Sequence, residues 1–106
     1  MKKIVKIDTR AEEELAEFSD KVQIKFEGLI EMLKTDGRLE YPNGKKINKN
    51  LFEIRVKLDG VYRGFYAYLI NNIVLILHFF KKKSQKTPSK DILVSERRLR
   101  DYEHRY

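Results

Sequence analysis

Three strand-like runs follow one another between Leu51 and Phe80 with only short turns between them, and that crowding commits the middle of the chain to an antiparallel sheet. Leu51-Phe52-Glu53-Ile54-Arg55-Val56-Lys57 alternates apolar and polar residues, the period of a strand with one buried and one wet face. Arg55 and Lys57 share the wet face. Val61-Tyr62-Arg63-Gly64-Phe65-Tyr66-Ala67-Tyr68 reads as a second strand, rich in aromatics. Asn71-Asn72 then turns the chain into Ile73–Phe80, whose nearly unbroken apolar character fits a central strand covered on both faces. Lys81, Lys82 and Lys83 follow directly.

The turn at Asp59-Gly60 decides which residues of the first hairpin meet. A two-residue loop would set Val56 opposite Arg63 and send the two arginines to different faces. A three-residue loop, Leu58-Asp59-Gly60 with Gly60 left-handed in a bulge, pairs Lys57 with Val61 and Arg55 with Arg63. Like charges directly opposite cost stability unless an anion is meant to sit between them. We expect the three-residue loop, with both guanidiniums on the open face near the Lys81-Lys82 end of the central strand.

Before the sheet, Ile4-Val5-Lys6-Ile7 predicts a short strand and Thr9 a helix N-cap. Ala11, Leu15 and Phe18 recur at helical spacing, and Glu12, Glu13 and Glu14 crowd the first turn, where they complement the helix dipole. Ser19-Asp20 can end this helix and cap the next, with Gln23 in the capping-box position and Val22, Phe26, Leu29, Ile30 and Leu33 on one stripe. This predicts a helical hairpin, with one long helix bent near Ser19 as the alternative. Gly37 is a C-cap and Arg38–Asn50, with Pro42 and Asn43-Gly44, reads as a polar surface loop. Thr87-Pro88 opens a last helix with Ile92, Leu93, Glu96, Leu99 and Tyr102 on its mainly apolar face; Arg97, Arg98, Arg100 and Arg105 lie mostly off it. The expectation is a single α+β domain over residues 1–106. An N-terminal strand and helical hairpin pack on a small, twisted, mainly antiparallel sheet, with a C-terminal helix and all helices on one face.

Composition narrows the function classes. The chain has 106 residues and no cysteine, which excludes disulfides and thiolate metal sites. His78 and His104 stand far apart with no carboxylate at ligand spacing, so neither a metal nor another cofactor is expected. The longest apolar run is too short to span a bilayer and no signal peptide opens the chain, so no membrane role and a cytoplasmic location are expected. Residues 1–53 hold 11 Lys/Arg against 11 Asp/Glu, whereas residues 54–106 hold 12 against 5. The whole net charge of +7 therefore sits in the second half and favours a polyanionic partner.

The order of these segments resembles a known family. Leu-Phe-Glu-Ile-Arg at 51–55, Tyr62-Arg63, the apolar strand ending His78-Phe79-Phe80-Lys81-Lys82, and Thr87-Pro88 are similar to the RelE-type toxins of bacterial toxin-antitoxin systems, closest to the HigB-like and phage-derived branch. The resemblance spans essentially the full chain. It implies a fold like that of small ribonucleases, metal-free cleavage of mRNA at the ribosome, and a cognate antitoxin, often a HigA-like helix-turn-helix protein. It also places the family's basic catalytic positions on Arg55, Arg63, Lys81 and Lys82. Two departures stand out. Several relatives have a basic residue where this chain has Glu53, and a tyrosine opening the last helix where it has Thr87-Pro88-Ser89.

The chemistry can also be reasoned from the residues. Metal-free cleavage proceeds by attack of the ribose 2′-hydroxyl on the adjacent phosphate, and negative charge builds on the phosphate oxygens. Arginine forks match two such oxygens, so Arg55 and Arg63 are the stabilisers. Lysine can release a proton near neutral pH when cations crowd it, so Lys81 or Lys82 is the proton carrier. His78 and Glu53 are the conventional acid/base groups nearest this set, although a histidine inside an apolar strand is more often a hydrogen-bonded core residue and Glu53 can simply pair with an arginine. Lys57, Lys83 and Lys86 extend the basic surface toward RNA. Two other classes remain open: a ParE-like inhibitor of DNA gyrase, and a non-catalytic RNA- or protein-binding module, for which scattered charge would suffice.

Overall fold

The computed structural model describes residues 2–70, 72–83 and 88–105. In chain order the elements are β1 (Ile4–Ile7), α1 (Thr9–Ala16), α2 (Asp20–Asp36), β2 (Gly44–Lys46), β3 (Phe52–Lys57), β4 (Val61–Leu69), β5 (Ile73–Lys81) and α3 (Ser89–Glu103). The strands form one sheet in the order β1-β5-β4-β3-β2, with β1 parallel to β5 and the other pairs antiparallel. The α+β class and the mainly antiparallel sheet stand as expected.

The helical hairpin forms, and its caps explain where it breaks. Asp8, rather than Thr9, caps α1 by accepting from the backbone N–H groups of Arg10 and Ala11. Ser19 caps α2 through the Val22 N–H, and Gln23 donates its amide to the carbonyls of Ala16 and Phe18, so the chain cannot run on as one helix. Gly37 closes α2 at φ 79°, a left-handed conformation that favours glycine. The Lys34 carbonyl accepts from the Lys3 N–H, which brings the end of α2 back beside the start of β1.

Two expectations need correction. The stretch Arg38–Asn50 is not all loop: Gly44–Lys46 pairs with β3 as an edge strand, Gly44 opposite Ile54 and Lys46 opposite Phe52. A Cβ on Gly44 would lie 2.5 Å from that of Leu39, so the close approach of this edge needs glycine. Nor do all helices cover one face. Val22, Phe26, Ile30 and Leu33 of α2 pack with Ile54, Val56, Tyr66 and Phe79, whereas Leu99 of α3 packs with Leu51, Ala67, Leu75 and Leu77 on the other side. Ile73–Phe79 is buried throughout, so the second face of β5 also has to be covered, and α3 covers it.

The edge of β5 organises the rest. β1 pairs with β5 only from Ile73 to Ile76, leaving the outer edge beyond Ile76 without a strand. Side chains complete that edge: the Phe79 N–H donates to Glu14 Oε1 at 3.1 Å, and the Leu77 carbonyl accepts from Arg98 Nη1 at 2.8 Å. A register shift between Phe65 and Tyr66, opposite His78 and Ile76, makes Leu77 the extra residue of a bulge. The bulge keeps Leu77, His78 and Phe80 toward the α3 side while Phe79 returns to the α2 core.

Candidate functional site

The β3–β4 hairpin has the register of the three-residue loop. Lys57 pairs with Val61 and Arg55 lies directly opposite Arg63. Asp59 at φ 50° and Gly60 at φ 130° both hold positive φ, so the turn uses two such residues where one was expected. Directly opposed residues of an antiparallel pair project from the same face, so the two guanidiniums share one face with Glu53 and Phe65.

Glu53 is only 2% exposed, and its Oε1 lies 2.8 Å from Arg63 Nε. That contact is an ion pair without hydrogen-bond alignment: neither atom has a well-directed partner. Glu53 thus holds the root of the Arg63 fork and neutralises part of the charge on the face. Arg55 has no such carboxylate among the described residues. It lines a groove of about 320 Å³ at the β3 edge with Lys25, Leu29, Asn43, Val56 and Lys57.

The lysines after β5 separate. Lys81 is paired with Tyr62, and its Nζ sits 5.4 Å from the Tyr62 ring centre, on the α2 side of the sheet. The Lys82 N–H continues the ladder to the Val61 carbonyl, and strand alternation directs Lys82 toward the face of Phe80 and Arg63. Lys82 therefore shares the face of the arginine pair and Lys81 does not. Lys83 is exposed, and Lys86 lies outside the described residues. A cleft of about 520 Å³ opens at the end of β5, lined by Phe18, His78, Phe80, Lys81, Lys82, Lys83, Pro88, Lys90, Asp91 and Val94. Phe80 stands between cleft and hairpin, opposite Arg63 and edge-on to Phe65 at 5.0 Å.

His78 is not a free base. Its Nδ1 is 2.9 Å from Glu14 Oε1 and its Nε2 is 2.8 Å from Asp91 Oδ1, so both ring nitrogens are engaged. Burial disfavours the imidazolium, but hydrogen bonds to Glu14 and Asp91 outweigh it and raise the His78 pKa above its ordinary value. Glu14 is opposed in the same way: burial pushes its carboxyl up, while hydrogen bonds from His78 and Arg98 hold it down at about 2. Arg98 forms a two-pronged pair with Glu14, Nη1 to Oε1 and Nη2 to Oε2, both at 3.0 Å. Glu14, Asp91 and Arg98 were not among the sequence candidates. The only sequence signal was position: Glu14 is three residues from Ala11, and Arg98 is next to Leu99, at the margins of their apolar stripes.

A five-stranded sheet with a helical hairpin on one face and a single helix on the other is the architecture of the small RelE toxins. A double arginine-to-alanine mutant of the free E. coli toxin RelE superposes with a TM-score of 0.66 at 18% identity, covering 88% of this chain and 97% of that one. The isolated E. coli RelE toxin gives 0.64 at 17%, covering 86% and 96%. A chain of the Mycobacterium tuberculosis toxin-antitoxin complex RelBE2 gives 0.61 at 17%, covering 77% and 100%. No curated protein sequence matches. The family model described as phage-derived protein Gp49-like (DUF891) matches residues 13–100, and the chain belongs to that family.

Proposed function

We propose that this chain is the toxin of a toxin-antitoxin pair and acts as a metal-free endoribonuclease on mRNA in the cytoplasm, at the ribosome. The observation that carries this reading is the Arg55–Arg63 pair, two guanidiniums set opposite each other on one face of the sheet, with Arg63 12% exposed and held by the buried carboxylate of Glu53. Such a pair suits a phosphate better than it suits the fold. In the reaction the 2′-hydroxyl loses its proton, its oxygen bonds to phosphorus, and the bond to the 5′-oxygen breaks, leaving a cyclic phosphate and a 5′-hydroxyl. Arg55 and Arg63 neutralise the phosphate oxygens as charge builds there. Lys82, on the same face, supplies the proton to the departing oxygen. With both nitrogens of His78 committed and Glu53 buried against Arg63, the 2′ proton passes to solvent water. Lys57 and Lys83 hold flanking phosphates.

A cognate antitoxin, of helix-turn-helix HigA-like type, would present an acidic face to this basic half, so its association should slow as salt rises. The test is cleavage of RNA by purified protein, with and without ribosomes, set against gyrase supercoiling of plasmid DNA. Cleavage that leaves a cyclic phosphate and is abolished by a 2′-deoxy substitution is the expected result. Gyrase inhibition without RNA cleavage would replace this reading with the ParE-like one.

A further inference from the structure

The arginines near the C-terminus divide into two groups, and only one has a structural task. Arg98 turns inward to Glu14 and the Leu77 carbonyl, and Arg105 lies 5.3 Å over the Tyr102 ring. Arg97 and Arg100 are exposed, as is Lys90, and none of the three is in an ion pair among the described residues. Three of the four carboxylates of α3 have partners away from this line: Asp91 is held by His78, Glu96 by Asn48 and Asp101 by Arg10, while Glu103 lies exposed at the end of the helix. Three of the acids are thus taken up by the fold, while Lys90, Arg97 and Arg100 are left outside. Lys90, Leu93, Arg97 and Arg100 recur at spacings of three and four, which aligns them along one outer line of α3. Leu93, 53% exposed, sits within that line.

Lys90 belongs to two features at once. It opens the stripe on α3 and lines the cleft with Lys82 and Lys83. Cations at Lys90, Arg97 and Arg100, with Leu93 between the first two, therefore extend from the cleft over ten further residues, about 15 Å of helix. We propose that this outer face of α3 is a track for the RNA chain leaving the cleft, with Lys90, Arg97 and Arg100 on successive phosphates and Leu93 against a ribose or base. Lys82 and Lys83, given to the RNA in the proposed function, line the same cleft, and that continuity favours RNA over a separate acidic protein. The proposal rests on the proposed RNA-cleaving function, and it assigns Arg97 and Arg100 to binding rather than to chemistry.

The test uses fluorescein-labelled 2′-O-methyl RNA, which cannot be cleaved, in a long form of about twelve nucleotides and a short form of about four, titrated over a range of potassium chloride. Each phosphate contact on a single strand adds about 0.7 to the salt slope, so Arg97→Ala/Arg100→Ala should lower the slope for the long RNA by about 1.4. Binding of the short RNA and the melting temperature should not change. An unaltered slope in the double variant, or a long RNA that binds wild type no more steeply than the short one, overturns the track. So does a variant that keeps its RNA slope but loses binding to poly-glutamate, since the face would then belong to an acidic protein. Wild type that shows the full slope but leaves unmodified RNA intact would refute the nuclease reading and leave the track standing.

Discussion

The outer edge of β5 and the arginine face of the β3–β4 hairpin both hold partly buried charge, and they treat it in opposite ways. At the edge, Glu14 accepts from His78, Arg98 and the Phe79 N–H, and Asp8 accepts from Arg10 and from the Tyr102 hydroxyl, so each charge has an opposite or a donor aimed at it. On the hairpin, Arg55 faces Arg63 and, among the described residues, only the Arg63 side has a carboxylate, poorly aligned. A satisfied network is what a fold needs where a sheet edge would otherwise be orphaned. Opposed like charges add nothing to folding and become favourable only when an anion arrives. The contrast sets charge satisfied within the fold against an opposed arginine pair that the fold satisfies only in part.

The largest effect that would break this contrast is expected from Glu14→Ala. It leaves His78 and Arg98 partly buried without their shared carboxylate and removes the acceptor for the Phe79 N–H. Loss of one partner from such a pair costs about 3–5 kcal/mol, which urea unfolding would read directly. A loss under about 1 kcal/mol, the range of exposed pairs, would mean that the edge is not a structural tie.

Next in size is the activity of the hairpin arginines. Arg55→Ala and Arg63→Ala should each slow RNA cleavage by about 10²–10³, the cost of removing one preorganised donor to developing charge. Arg63→Ala should also destabilise, because it leaves buried Glu53 unpaired, whereas Arg55→Ala should not. Equal activity of both variants with wild type in a cleavage assay would remove the proposed site.

The pH dependence of stability sharpens the same comparison with a smaller signal. Glu14 and Asp8 are each lowered to about 2, so their contribution is present above the unfolded carboxylate range and is lost as pH falls through the folded values. His78 is raised, so its contribution is complete below about 6.5, the unfolded histidine value, and fades as pH climbs through the folded value. Stability should therefore peak between about pH 4.5 and 6.5. In His78→Gln the decline above that window should disappear while the acid limb remains. Thermal unfolding across pH measures both limbs.

What the sequence revealed of this arrangement depended on how far the determining residues lie apart. The Arg55–Arg63 register was legible because it hangs on Asp59 and Gly60, neighbours whose local conformations fix the loop. Strand alternation carries Lys81 away from Phe80, yet in the sequence it was grouped with Lys82, because the run of three lysines reads as one basic cluster. β2 was missed because a three-residue edge strand with Lys45 and Lys46 exposed offers no alternation to detect. The Glu14–Arg98 pair joins residues separated by 84 positions, and three glutamates in a first helical turn have a sufficient local explanation in the dipole. Covering both faces of β5 follows from its unbroken apolar run; which helix goes to which face does not.

The smallest predicted effect is the most discriminating. Arg55→Gln keeps the aliphatic stem as far as Cδ and a polar, donating end but removes the charge that opposes Arg63. A directly opposed like-charged pair costs about 0.2–1 kcal/mol in a sheet, so the variant should be more stable by up to that amount, less whatever Glu53 already offsets. Addition of inorganic phosphate should then raise the melting temperature of wild type more than that of Arg55→Gln, because a ligand stabilises only the protein that binds it. Together the two measurements separate a site from a surface. If Arg55 were merely a solvated strand residue, its loss would leave stability within error and the phosphate response unchanged, and the hairpin would join the β5 edge as architecture.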